Sequence, residues 1–127
     1  MSRTISFTAK DFGADEDGAL TAGFARDQSD KSSDEALILQ RAKDKEDDPG
    51  IYIEIPIQRF AAYGGIRQAE LSRNSFSIAF QPKTAKKLGG ISEMKIAFAM
   101  PDAEFVKIEM ILKRIFRDHE AFAVKKG

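Results

Sequence analysis

Apolar residues recur at every second position along much of this chain, the period of a strand that buries one face. In residues 3–9, Ile5, Phe7 and Ala9 alternate with Thr4, Ser6 and Thr8, which predicts a first strand. Leu20, Ala22 and Phe24 repeat the pattern in residues 19–26 and predict a second, paired antiparallel with the first. Between them residues 11–18, DFGADEDG, have the Asp and Gly content of an acidic loop. EALILQR at 35–41 is short enough that periodicity does not separate a buried strand from a helical turn, and the alternation of Leu37 and Leu39 around Ile38 favours the strand. Residues 42–50, AKDKEDDPG, are highly charged and end on Pro-Gly, the composition of a second acidic, mobile loop.

The stretch from 51 to 80 organises the rest. Ile51, Ile53 and Ile55 share one strand face, with Tyr52 and Glu54 on the other, and Pro56 stops the strand because it has no N–H for a ladder. Residues 56–65 read as an irregular, glycine-bearing loop, and residues 66–73 as renewed extended chain. A tight turn at Arg73 and Asn74 then sets Leu71 opposite Phe76 and Ala69 opposite Ile78, and Phe80 completes the apolar side. Pro82 opens a short helix that Gly89 and Gly90 close, and Met94, Ile96 and Phe98 mark another strand. From Asp102 onward Phe105, Ile108, Leu112, Ile115 and Phe116, flanked by Ile111, recur at helical spacing. Asp102 is expected to cap this helix and Phe105 to lie in the core, while residues 119–127 are expected to fray. The predicted fold class is α+β: an antiparallel sheet of about six to seven strands, a short helix, and a C-terminal amphipathic helix packed on one face.

Length and composition narrow the function more than the fold. At 127 residues the chain is expected to be one domain, 1–127. It has no Cys, which removes disulfides, thiolate metal ligands and cysteine nucleophiles. The first residues carry no apolar run of the signal-peptide kind and nowhere are about 18 apolar residues consecutive, so the expectation is a cytoplasmic protein without a membrane partner. Net charge is zero, against nucleic-acid binding, which needs a basic footprint. The zero hides an asymmetry: residues 1–50 carry 12 Asp+Glu against 7 Lys+Arg, and residues 51–127 carry 8 against 13. A solvated acidic loop region and an acidic face that docks a basic partner both account for it.

No catalytic or cofactor set emerges. The single His, at 119, has no ligand partners at metal spacing and no triad around it. Glu54 and Glu70 could form a carboxylate pair for acid–base work, but surface charges usually just solvate a sheet. Gly64-Gly65 and Gly89-Gly90 lie in no phosphate-binding pattern. The binding candidates are therefore the loop residues Gln58, Arg59, Phe60 and Tyr63, together with Glu54 and Arg73, types that combine aromatic anchors with hydrogen-bonding groups. For Phe60 and Tyr63 the alternative is that they fold back to plug one end of the sheet.

One resemblance adds to this reading. IYIEI at 51–55, Gln58, YGGI at 63–66, ELSRNSFSI at 70–78, KKLGGISEMKIAF at 86–98 and the final amphipathic helix, with LILQR at 37–41 upstream, resemble the immunity protein 10 family of bacterial polymorphic toxin systems. The likeness spans roughly residues 35–116 and departs at Pro56, Ile57, Arg59 and Phe60, where more polar residues are usual. It implies a small non-enzymatic protein that binds and neutralises a cognate toxin, with no cofactor. The other function that the residues allow is an accessory domain binding a small molecule or peptide at the 56–65 loop. Self-association as a homo-oligomer stays open.

Overall fold

A computed structural model describes residues 3–26, 36–44, 48–55 and 59–125. Within them the chain forms, in order, β1 (Arg3–Ala9), β2 (Asp11–Asp15), β3 (Leu20–Ala25), β4 (Ala36–Arg41), β5 (Tyr52–Ile55), β6 (Phe60–Tyr63), β7 (Ile66–Ser72), β8 (Ser75–Phe80), α1 (Pro82–Lys87), β9 (Ile91–Phe98), α2 (Asp102–Ile115) and β10 (Phe122–Val124). The class is α+β, but the single sheet of six to seven strands is replaced by two sheets of five. The first runs β1-β9-β8-β7-β10 and the second β2-β3-β4-β5-β6. Alternation dictates which face of a strand is buried, and it carries no information about which strands are neighbours.

The partition follows from two places where the chain changes sheet. At Lys10 it leaves β1, which lies parallel to β9 with Phe7 beside Ile96, and enters β2, which pairs antiparallel with β3 so that Phe12 faces Phe24. The expected antiparallel pairing of the first two strands is thus wrong, and residues 11–15 are strand, not loop. Their Asp and Gly content suits an edge strand, which needs partners on one side only and is commonly blunted with charge. The second change is at Gly64 and Gly65, both at positive φ (69° and 77°). There the Gln81 N–H donates to the Gly65 carbonyl and the Thr84 hydroxyl to the Gly64 carbonyl, so α1 holds the corner.

One core joins the layers. Phe24 of the second sheet stacks on Phe76 and Phe98 of the first, with ring centres 5.8 and 5.9 Å apart. The β7–β8 hairpin has the expected register, Leu71 opposite Phe76 and Ala69 opposite Ile78, and all four side chains are buried. α2 packs on β2, β3 and β4 and buries Ile108, Ile111, Leu112 and Ile115, while Phe116 just beyond it reaches Phe76 at 6.3 Å. Phe105 packs against the edge of this core and is only partly buried. It is partly exposed, with the Arg73 guanidinium 5.2 Å above its ring. Asp102 is not the cap either: Pro101 holds that position, and the Asp102 carboxylate pairs with Arg73 at 2.7 Å. The tail expected to fray is ordered through residue 125, because β10 adds to β7 in parallel and Phe122 stacks on Phe116 at 4.7 Å.

Of the charged segment after β4, Ala42 and Asp48 are tied to the rest of the fold. Arg41 donates from Nε to Asp48 at 2.7 Å and from one terminal nitrogen to the carbonyls of Ile115 and Arg117, at 2.9 Å each. A cation thus meets the unsatisfied C-terminal carbonyls of α2, where the helix dipole favours it. Arg117 in turn donates to the Ala42 carbonyl and to Asp48. Burial alone would raise the Asp48 pKa, but the Gly50 amide, Arg41 and Arg117 outweigh it and hold the carboxyl below its ordinary value. Replacing Asp48 with Ala is expected to cost about 2 kcal/mol, less than for a fully buried pair because both arginines keep some solvent. The sign of the pH effect follows from linkage. A carboxyl with a depressed folded-state pKa contributes stability that is present above its unfolded value, near 3.8, and lost as pH falls through the folded one. Urea titrations below pH 4 should therefore show a steeper acid loss in the parent than in the Asp48→Ala variant; parallel curves would contradict the assignment.

Candidate functional site

Within the stretch from 56 to 65, expected to be a loop, residues 60–63 form a strand and 56–58 lie outside the described residues. Residues 60–63 pair antiparallel with β5, placing Phe60 opposite Ile55 and Tyr63 opposite Tyr52. FAAY alternates in and out like the strands around it, with Ala62 buried and Ala61 and Tyr63 exposed, but four residues between a proline and two glycines resemble a loop in composition. Gln58 lies outside the described residues. Arg59 sits at the turn with φ at 59°, exposed to solvent.

The two aromatics diverge. Phe60 points inward and leans on α1's C-terminal turn so closely that a Cβ added at Gly89 would come within 2.3 Å of its ring. This is the plugging role, and it explains why Gly89 is glycine at φ 68°. Tyr63 is 58% exposed and tilts against Tyr52 with ring centres 5.0 Å apart. The Tyr52 hydroxyl donates to Glu54 Oε1 at 2.7 Å, and that hydrogen bond, with burial and the Glu54 and Tyr63 charges behind it, raises the Tyr52 pKa. Both are neighbours on the outer side of the second sheet.

Arg73 and Glu70 are not part of this group. Arg73 donates to Asp102 and to the Met100 carbonyl, tying the β7–β8 turn to the start of α2. Glu70 lies in the first sheet, where it accepts from Gln68 and pairs with Lys125, so the two glutamates considered as an acid–base pair stand on different sheets. His119 meets Phe116 edge-on and accepts from the Ala121 N–H. Among the described residues no group of three or more His, Cys, Asp or Glu is arranged to hold a metal ion.

Register extends the tyrosine pair across the sheet. Tyr63 and Tyr52 continue through Gln40 and Thr21 to Asp15, one residue from each of the five strands. The next row outward is Ala61, Glu54, Ile38, Gly23 and Gly13. Asp15, Thr21, Ile38 and Gln40 were missed from sequence, although the alternation that buries Leu20, Ala22, Leu37 and Leu39 places them outside. At one end, between Tyr63, Tyr52, Gln40 and Pro49, is an open hollow of about 210 Å³. Ligand-enclosing pockets run to roughly 300–1,000 Å³. A larger hollow of about 720 Å³ lies on the first sheet beside α1, lined by Arg67, Phe80, Pro82, Ala85, Lys86, Gly90 and Ser92, none of them a predicted site residue.

The architecture is thus an α+β scaffold that presents one broad sheet face with paired tyrosines and acidic groups. The immunity protein 10 family model matches residues 7–106, and the chain belongs to that family. The match starts 28 residues before the likeness seen in the motifs, taking in the end of β1 with β2 and β3, and ends within the first half of α2. Neither the curated proteins nor the solved structures gave a match.

Proposed function

We propose that this protein is an immunity protein of a polymorphic toxin system, which binds a cognate bacterial toxin in the cytoplasm and neutralises it without catalysis. The observation that carries the reading is the family match over residues 7–106. Three features agree with it. The predicted contact residues Glu54 and Tyr63 share an exposed sheet face, with Arg59 at its rim. The hollow beside Tyr63 is smaller than those that enclose drug-sized ligands, which favours a protein partner over the small-molecule alternative. No helix among the described residues is long and apolar enough to cross a membrane. Phe60 and Arg73 stand apart from that face, Phe60 packed toward Gly89 and Arg73 paired with Asp102.

The test is co-purification. The toxin encoded next to this protein's gene, made as an inactive variant with an affinity tag, should retain the untagged protein through size-exclusion chromatography as a single complex. Separate elution of the two at micromolar concentration would contradict the reading.

A further inference from the structure

We propose that the outer face of the second sheet is the docking surface and that its occupant is a basic patch on a protein; this rests on the toxin-binding reading and adds the surface and the chemistry of the partner. The first argument is charge. Strand positions that face outward on β2 to β6 carry Asp11, Asp15 and Glu54 and no Lys or Arg. The opposite molecular face, on the first sheet, carries both signs of charge on its strands. Its charges offset one another, Glu93 with Lys95 and Glu70 with Lys125, between short hydroxyl side chains such as Ser6, Thr8 and Ser77. Of the acidic residues in the first 50, Asp11 and Asp15 lie on this face and Asp17 follows in the turn beyond it, while Glu16 pairs with Arg114 of α2. Complementary potentials of this sort speed association and select partners.

The second argument is relief. Gly13 and Gly23 face each other across β2 and β3 in the row that continues through Ile38 to Ala61, so the centre of the face is low and apolar apart from Glu54. Glycine weakens a strand interior and often marks a place where another backbone approaches closely. A Cβ at Gly13 would meet nothing within 4 Å, so packing within the chain does not demand glycine there. Tyr63 rises at the margin of this floor, steadied by Tyr52, which Glu54 holds in turn. Tyrosine is among the residue types enriched at interface hot spots. Lysine or arginine side chains of the partner would reach Glu54 and Asp15 while its backbone crosses the glycines.

The experiment measures binding of the purified, inactive toxin encoded beside the gene to the full-length protein, by surface plasmon resonance at two salt concentrations. Tyr63→Ala should weaken binding at least about 30-fold, chiefly through faster dissociation. Glu54→Lys should slow association and cost about tenfold, with a smaller salt dependence than the parent. Ser77→Lys on the opposite face should change neither; circular dichroism melts of it and of Tyr63→Ala should match the parent, and that of Glu54→Lys should stay cooperative and fall by no more than about 5 °C, for the lost Tyr52 hydrogen bond. If the parent binds but Tyr63→Ala and Glu54→Lys bind equally well, the docking surface is wrong and the toxin-binding reading stands. Absence of parent binding removes both. A parent that sediments as a dimer dissociated by Tyr63→Ala would overturn the proposal in favour of a second copy as occupant.

Discussion

Gly65→Ala is expected to lower stability by about 3–4 kcal/mol, and Gly64→Ala beside it by only about 1 kcal/mol. Both residues have positive φ, where a Cβ is strained by about 1–2 kcal/mol. They differ in what surrounds them. A Cβ at Gly65 would lie 1.7 Å from Thr84 Oγ1 and 2.8 Å from Thr84 Cβ, whereas one at Gly64 would meet nothing within 4 Å. Thr84 is buried, so it cannot swing into solvent, and moving it breaks its hydrogen bond to the Gly64 carbonyl, a further loss of about 1 kcal/mol. At roughly 3–5 °C per kcal/mol for a chain of this size, the melting temperature should fall by about 10–15 °C for Gly65→Ala and by less than about 5 °C for Gly64→Ala. Equal shifts would mean that α1 does not clasp the corner between the sheets. The glycines of the YGGI motif are thereby explained by backbone geometry, and no phosphate is needed to account for them.

The second large effect is expected at Phe24. It is 1% exposed and its ring lies against Phe12, Phe76 and Phe98, so it touches β2, β8 and β9 from its place on β3. Truncation to Ala leaves a cavity between the sheets and should cost about 3–5 kcal/mol in urea unfolding. Phe105→Ala, at the partly exposed position under Arg73, should cost less than half as much. A Phe24→Ala loss near 1 kcal/mol would show that the two sheets do not share this ring. A comparable loss at Phe105 would restore it to the core, where the helical spacing had put it.

That contrast shows where sequence reasoning held and where it stopped. Alternation located Leu37, Leu39, Ile53, Leu71 and Ile78 on buried faces because a period of two is a local property, and the Arg73-Asn74 turn fixed the hairpin register because turn length does. Sheet membership is not local. Nothing in ISFTA announces that β1 will lie parallel to a strand 88 residues onward, and Lys10, a single residue, separates two strands in different sheets. Composition misled at three places for related reasons. DFGAD, FAAY and FAV are short edge strands, which need one partner each and so tolerate Gly, Asp or few residues, and each resembles a loop or a frayed end. Phe105 satisfied the helical period, yet it lies in the first turn of α2 and packs only against the edge of the core.

The candidate site was legible in part. Glu54 and Tyr63 were singled out through residue type, and the antiparallel β5–β6 pairing sets them on one face. Arg73 has the residue type of a contact and the geometry of a brace. Asp15, Thr21, Ile38 and Gln40 come from strands whose order was needed before their alignment with Tyr52 and Tyr63 could be seen.

The central claim, neutralisation by binding and not by catalysis, is tested most directly by titration. The purified toxin's activity is followed, at a concentration well above the dissociation constant, as the protein is added in steps and allowed to equilibrate. A binding inhibitor should reduce activity in proportion to the amount added, reach zero near one molecule per toxin, and show no further loss with time. Complete loss at a small fraction of that ratio, progressing with incubation, would reveal an enzyme acting on the toxin, and undiminished activity at excess would contradict neutralisation altogether.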